Sequence, residues 1–333
     1  MKYNLKEVAR LSGVSASTVS KIIHNYNDVG EETKQKVLSI MDEMGYTNKI
    51  IASKTKKSKK FKNIAVIFAG NYDVGLNHVF FSDVVNSFKF QIESLGYDMI
   101  FFPYSSNAND YIARCKSYKT EGCLIIGGNQ KDTVTELLNH SDIPCVGIDI
   151  SLTGERSSFI MTDNKKIAIM AVEHFYLKGY KEIGFIGSHH KSEISDLREQ
   201  HIIEALNYFG LNVNHQWFLH GNDFTEASGY QAMLELIKQP TIPQSIFAAA
   251  DSLAIGAMKA AIENELRVPF DIAIIGCDDI EAAKFSNPPL TTIRQDKEKI
   301  GKLAALFLND LIHELAVPVQ IFVEPELIVR SSC

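Results

Sequence analysis

Residues 5–24 read LKEVARLSGVSASTVSKIIH. Leu5, Val8, Ala9 and Leu11 recur near helical spacing and predict a short helix with one apolar side. Ser12-Gly13 ends it, because glycine enters the left-handed conformation of a helix stop without steric penalty. Ser15 then stands where a hydroxyl can accept a free N–H of a second helix. Val19, Ile22 and Ile23 form that helix's buried side, and Ala16, Ser17, Ser20 and Lys21 its open side. Two helices joined by a short glycine turn make a helix-turn-helix. The second helix of such a unit enters the major groove of DNA, N-terminal residues first. Short side chains let the backbone approach, hydroxyls reach phosphates and base edges, and Lys21 reaches guanine acceptors. A third helix opens at Glu31-Glu32-Thr33, with Val37, Leu38, Met41 and Met44 as its buried stripe and Gly45 as its stop.

A helical protein-interaction module would carry the same apolar pattern, and charge separates the two. Residues 1–63 hold 13 Lys and Arg against 6 Asp and Glu, while the whole 333-residue chain is at −6. A basic N-terminal piece on an acidic body points to a polyanion partner for the first segment. The following stretch, TNKIIASKTKKSKKFK, has no acidic residue. Seven lysines from Lys49 to Lys62 are expected to neutralise phosphates.

From Asn63 the texture changes. NIAVIFAG is a continuous apolar run, as in a strand buried on both faces. A helical pattern to Gly96 follows, then YDMIFFPY, a helix near Ala108–Lys119, GCLIIGG, a helix at Thr133–Asn139, and PCVGIDI. After Thr162 the rhythm restarts: helix Lys165–Lys178, EIGFIG, helix Ser195–Phe209, a strand near Trp217–His220, helix Thr225–Lys238, SIFAAA, helix Ala254–Asn264, IAIIGC. This alternation predicts two α/β lobes, each with a parallel sheet, and a cleft between them.

Ligands of such lobes bind beyond the carboxyl ends of the strands. Phe80, Phe81, Asp149, Arg198, Phe224 and Asp278 follow predicted strands and are the candidates. Carboxylates and a guanidinium take hydroxyls pairwise, and rings cover the C–H faces of a sugar. Each has a structural alternative: Phe80 and Phe81 as core, the aspartates as turn caps, Arg198 as a surface residue. Cys115, Cys123, Cys145, Cys277 and Cys333 are scattered without a CxxC pair, which suits a reducing cytosol and argues against a zinc site. No acid–base pair, catalytic triad or metal cluster stands out, so neither catalysis nor a cofactor is expected. No apolar run is long enough to span a bilayer, and a cytoplasmic location without membrane contact is expected.

Taken together, LKEVARLSGVSASTVSKIIH, VGEETKQKVLSIMDEMGY, LRVPFDIAIIGCDD, PPLTTIRQD and PELIVRSS resemble the lactose-repressor/galactose-repressor (LacI/GalR) family of bacterial transcription regulators over essentially the whole chain. The resemblance implies base reading by Ala16, Ser17 and Lys21, and backbone contacts by Ser15, Thr18, Ser20, Thr33 and Tyr46. It also implies a hinge helix that enters the minor groove, in which Ala52 is kept and Thr55 stands where an intercalating Leu is usual. Thr offers less apolar area to offset unstacking, so a hinge that relies on charge is expected. The six cleft residues fall on effector-contacting positions of the family. Ala250 stands where some relatives have Asn.

The implied organisation is a headpiece at 1–46, a hinge at 47–62, a first lobe of 63–161 with 292–321, and a second lobe of 162–291 with 322–333. Its three crossings fall near 160–162, 288–291 and 322–324. The implied function is an operator-binding homodimeric regulator, read as a repressor of carbohydrate-utilisation genes, controlled by a sugar or sugar derivative. The alternative is a sugar-sensing protein whose headpiece no longer reads an operator.

Overall fold

The structure is a computed structural model that describes residues 5–23, 29–44, 62–69, 75–103, 105, 107–128, 132–188 and 193–333. The chain divides into two compact units, Met1–Phe61 and Lys62–Cys333.

The first unit contains α1 (Leu5–Ser12), α2 (Ala16–Ile23) and α3 (Glu31–Glu43). Val8, Ala9, Val19, Ile22, Val37 and Met41 close one small core, with Val14, Val29 and Met44 packed against it. Gly13 adopts φ +72°, as its place between α1 and α2 requires. Ser15 Oγ accepts the Thr18 N–H at 3.0 Å, so the expected cap is present. Glu31 and Glu32 lie in the first turn of α3, where the helix dipole favours anions. Two side chains expected inside are outside: Leu11 is 46% and Leu38 36% exposed. Three short helices enclose too little volume to take every apolar residue at helical spacing. Replacing Ser15 with Ala should cost about 1 kcal/mol of headpiece stability, read by thermal unfolding.

The second unit carries two six-stranded sheets. The first orders its strands β11-β5-β4-β3-β1-β2. These are β1 (Lys62–Phe68), β2 (Tyr97–Phe101), β3 (Thr120–Ile126), β4 (Cys145–Ile148), β5 (Ser157–Thr162) and β11 (Gln320–Val323), all parallel. Helices α4 (Val79–Ser94) and α12 (Lys297–Ile312) enclose one part of its core with Ile64, Val66, Phe88 and Leu308. Helices α5 (Ala108–Tyr118) and α6 (Thr133–Asn139) enclose another with Ile67, Cys123 and Ile125. Gly301 lets α12 ride directly on α4, since a Cβ there would lie 2.4 Å from Val84 O.

The second sheet orders β12-β10-β9-β8-β6-β7. Here β6 (Ile183–Ser188), β7 (Phe218–Gly221), β8 (Ser245–Ala248), β9 (Ala273–Asp278) and β10 (Thr291–Arg294) are parallel, and β12 (Glu326–Ile328) is antiparallel to β10. Helices α7 (Asn164–Leu177), α8 (Glu193–Tyr208), α9 (Glu226–Ile237) and α10 (Asp251–Glu263) cover it, and a short α11 (Glu281–Phe285) follows β9.

The second crossing between the lobes falls later than expected. Thr291–Arg294 pair with Ile275–Asp278, so the chain leaves the second lobe only at Gln295-Asp296. Ladder pairing holds this segment, and a chain position alone does not show pairing. Lys62, expected in the hinge as a phosphate contact, instead begins β1 beside Tyr97, its ammonium 5.1 Å from that ring's centroid.

Candidate functional site

The second unit brings Phe80, Phe81, Asp149, Arg198, Phe224 and Asp278 to one cavity between the lobes. Its volume is about 30 Å³. Phe80 and Phe81 come from the first turn of α4, and Asp149 follows β4. Arg198 lies on α8, Phe224 follows β7, and Asp278 ends β9. The wall is completed by His78, Gly127, Ile194, Ala250 and Gln295.

The structural alternatives sort differently. Phe80 and Phe81 both belong to the core of the first lobe and line the cavity, 5.3 Å apart in an edge contact. Arg198 is no surface residue, being 3% exposed. Its Nε donates to Asn164 Oδ1 at 3.0 Å and its Nη1 to the Ala249 carbonyl. Asp149, at φ +53°, makes no cap and leaves Oδ1 buried without a hydrogen-bond partner. Asp278, at φ +124°, accepts Gln295 Nε2 at 2.6 Å. That bond fixes the Gln295 amide and leaves its Oε1 buried and unpartnered as well.

Sequence pattern does not single out His78 or Gln295, yet both line the cavity. His78 precedes α4, its ring 4.7 Å from that of Phe81 and 6.3 Å from that of Phe224 across the cleft. Its Nδ1 is a third buried atom without a partner. No periodicity marks an isolated His. Gln295 sits in the PPLTTIRQD motif, but its role depends on the lobe crossing, which became visible only with the β10 pairing.

Electrostatics follow from burial. Burial pushes the Asp149 carboxyl up to about 7, with Asp278 and Glu193 adding to the effect and Arg198 opposing it. Burial and Asp278 push Asp251 up to about 7. Asp251 lies beneath the site, accepting Ile280 N at 2.9 Å and Thr292 Oγ1 at 2.5 Å. Burial also raises Asp278, against Arg198 and His78. Burial disfavours the Arg198 charge, yet the aspartates around it, Asp278, Asp149 and Asp251, raise its pKa above the ordinary value. Burial lowers that of His78, so at neutral pH its imidazole is uncharged.

An acid with a folded-state pKa raised above its unfolded value binds protons better when folded. Its contribution is full below the unfolded pKa and is lost as pH rises through the folded one. Stability of the lobed unit should therefore fall as pH rises from about 4 to about 7, and Asp149→Asn should flatten that profile in urea unfolding.

The arrangement can hold a polar molecule with several hydroxyls. Two buried acceptors need donors, and the guanidinium supplies donors for a ligand oxygen. Ligand sites usually enclose at least about 300 Å³, so the lobes must part for entry. Glu193 spans the rim, accepting Ser151 N at 3.1 Å and the Ser151 hydroxyl, while its own N–H donates to Gly128 O at 3.1 Å. A larger groove of about 780 Å³ lies between α5 and α6, remote from the strand ends that carry these groups.

In the first unit, Ser15, Ala16 and Ser17 are exposed around the start of α2, with Thr18 half-buried, and Lys21 is exposed in its last turn. Thr33 is half-buried in the first turn of α3. The Ser15 hydroxyl lies 2.6 Å from that of Ser17 and 2.8 Å from that of Thr18, a linked row at the helix start. Tyr46, Ala52 and Thr55, together with the side chain of Ser20, lie outside the described residues. Among the described residues no metal-binding cluster occurs, and no helix is long and apolar enough to cross a membrane.

Residues 4–49 match the model of bacterial regulatory proteins of the lacI family, and residues 172–333 that of the periplasmic binding protein-like domain. The HTH-type transcriptional regulator MalR of Clostridium butyricum is 30% identical over 99% of both chains. The HTH-type transcriptional repressor PurR of Pasteurella multocida is 28% identical over 98% of both. Among solved structures, the lac repressor dimer bound to operator and the anti-inducer ONPF superposes with a TM-score of 0.75 at 25% identity, over 100% of this chain and 99% of that one. The CelR–cellobiose complex gives a TM-score of 0.74 at 24% identity over 100% of both chains, a likeness of fold.

Proposed function

The chain belongs to the lacI family of bacterial regulatory proteins, and on that premise we propose how its two units divide the work. It is a DNA-binding transcriptional regulator with an effector-binding core. The headpiece acts on operator DNA as part of a homodimer, because one helix-turn-helix reads only half of a two-fold site. Ala16, Ser17 and Lys21 read bases, and Ser15, Thr18 and Thr33 hold the backbone. Lys21 carries a point charge where a guanidinium fork would be bidentate, so its guanine preference is shallow.

The effector is a small sugar or sugar derivative held between Asp149, Arg198 and Asp278, with Phe80, Phe81 and Phe224 over its apolar faces. The observation that carries this reading is the convergence of buried acceptors from Asp149 and Gln295 on one aromatic-walled cavity. Asp149 and Asp278 already face the Arg198 charge there, and uncharged His78 adds no second cation. An uncharged hydroxylated ligand is favoured over a phosphorylated one. Closure of the lobes on it changes operator affinity, and the coupling is reciprocal. Thermal-shift measurements with glucose, maltose, cellobiose and galactose, against glucose 6-phosphate and hypoxanthine, test the assignment. A neutral sugar should raise the midpoint. A shift confined to the phosphate or the purine would overturn it.

A further inference from the structure

We propose that Lys297 is a positioning residue that straps the loop carrying Asp278 to the opposite lobe. Its importance for regulation rests on reading the cavity as the effector site.

Lys297 is the first residue of α12, just after the second crossing. A helix dipole disfavours a cation in the first turn, so helix stability does not explain its place. Its contacts do. The ammonium donates to Asp279 O at 3.1 Å and Asp278 O at 3.3 Å, and lies 3.4 Å from Asp83 Oδ2 on α4. Asp278 ends β9 and Asp279 opens the loop after it, both in the second lobe, and Asp83 belongs to the first lobe. Asp83 is 53% exposed and Lys297 only 17%, so the carbonyl contacts form the enclosed arm of the strap.

The loop needs such an arm. Asp278 and Asp279 are consecutive non-glycine residues at φ +124° and +49°, conformations that persist only where the surroundings enforce them. Several groups hold the rest of the loop from within its own lobe. The Asp279 carboxylate takes Arg294 Nε at 2.8 Å and Arg330 Nη2, and Ile280 N donates to Asp251 at 2.9 Å. Lys297 adds the hold from the other lobe. Its helix start is fixed there by Ser87 Oγ, which donates to Glu298 O at 2.7 Å. Any movement of Asp278 about a ligand is thus passed to α4, which also carries Phe80 and Phe81.

Hydrogen exchange of the full chain without ligand tests this. Lys297→Met keeps the aliphatic stem and removes the donors. Exchange should rise at least about tenfold in peptides covering both residues 78–85 and 278–283, and remain unchanged at β6 and β8. Lys297→Cys should show the same rise, reversed by alkylation with 2-bromoethylamine, which restores an ammonium at nearly the original reach. The native cysteines are buried and spared by that reagent in the folded protein. Unchanged exchange, a rise in only one of the two regions, a rise throughout the core, or no recovery on alkylation would each overturn the strap. The outcome does not depend on a sugar or an operator, so its failure is distinct from failure of the proposed function.

Discussion

Arg198→Ala is expected to destabilise the lobed unit by about 3–5 kcal/mol, the usual effect of removing one partner from a buried charge cluster. The guanidinium is the positive group among Asp149, Asp251 and Asp278, and it also ties Asn164 of α7 to the end of β8 through Ala249 O. Its loss leaves three buried carboxyls that resist ionisation and a carbonyl without its donor. Protonation limits the damage. Asp149 and Asp251 already titrate near 7, and Asp149 and Asp278 move higher without the opposing charge. The destabilisation should therefore be smaller near pH 5 than near pH 8, as urea unfolding at both would read. As an effector contact alone, Arg198 would on replacement cost the ligand response and leave DNA binding intact. Its burial shows that this variant tests folding as well.

Asp278→Asn separates the two. It is isosteric, keeps a partner for Gln295, and removes a carboxylate that burial already disfavours. Stability should be retained or should rise. A hydrogen bond to a charged group contributes about 1.5–3 kcal/mol, so affinity for a neutral sugar should fall by about 10- to 150-fold in titration calorimetry. Operator affinity without sugar should stay within about twofold, since Asp278 lies in the lobed unit and the readers in the headpiece. Unaltered sugar affinity would remove Asp278 from the binding site.

Much of this is written in local pattern. The apolar runs NIAVIF, CLII and AIIGC read as strands covered on both faces, and each is an interior strand of its sheet with a neighbour on either side. Positions just after such runs place Asp149 and Asp278 at the strand ends without any knowledge of contacts. What stays hidden depends on distant partners. The strands β10, β11 and β12 are short and defined by pairing, and β5 lacks the unbroken apolar run of its neighbours, so all four read as loops or as anonymous segments. For the same reason the second crossing is expected too early. Gln295 and Lys297 flank that crossing, and their partners Asp278, Asp279 and Asp83 lie far away in sequence. His78 carries no pattern at all. In the headpiece, spacing finds the correct helix faces but overstates burial at Leu11 and Leu38.

The central claim is that one chain joins an operator reader to a receptor for a small polar molecule. The direct measurement is fluorescence anisotropy of the dimer with a duplex selected from random sequence, competed by unselected duplex, with and without the neutral sugar that stabilises the core. The selected duplex should be preferred, and adding the sugar should change that affinity by about 5- to 150-fold, the span of a typical coupling free energy. Equal affinity for selected and unselected duplexes, or a sugar that binds tightly and leaves operator affinity unmoved, would contradict the claim.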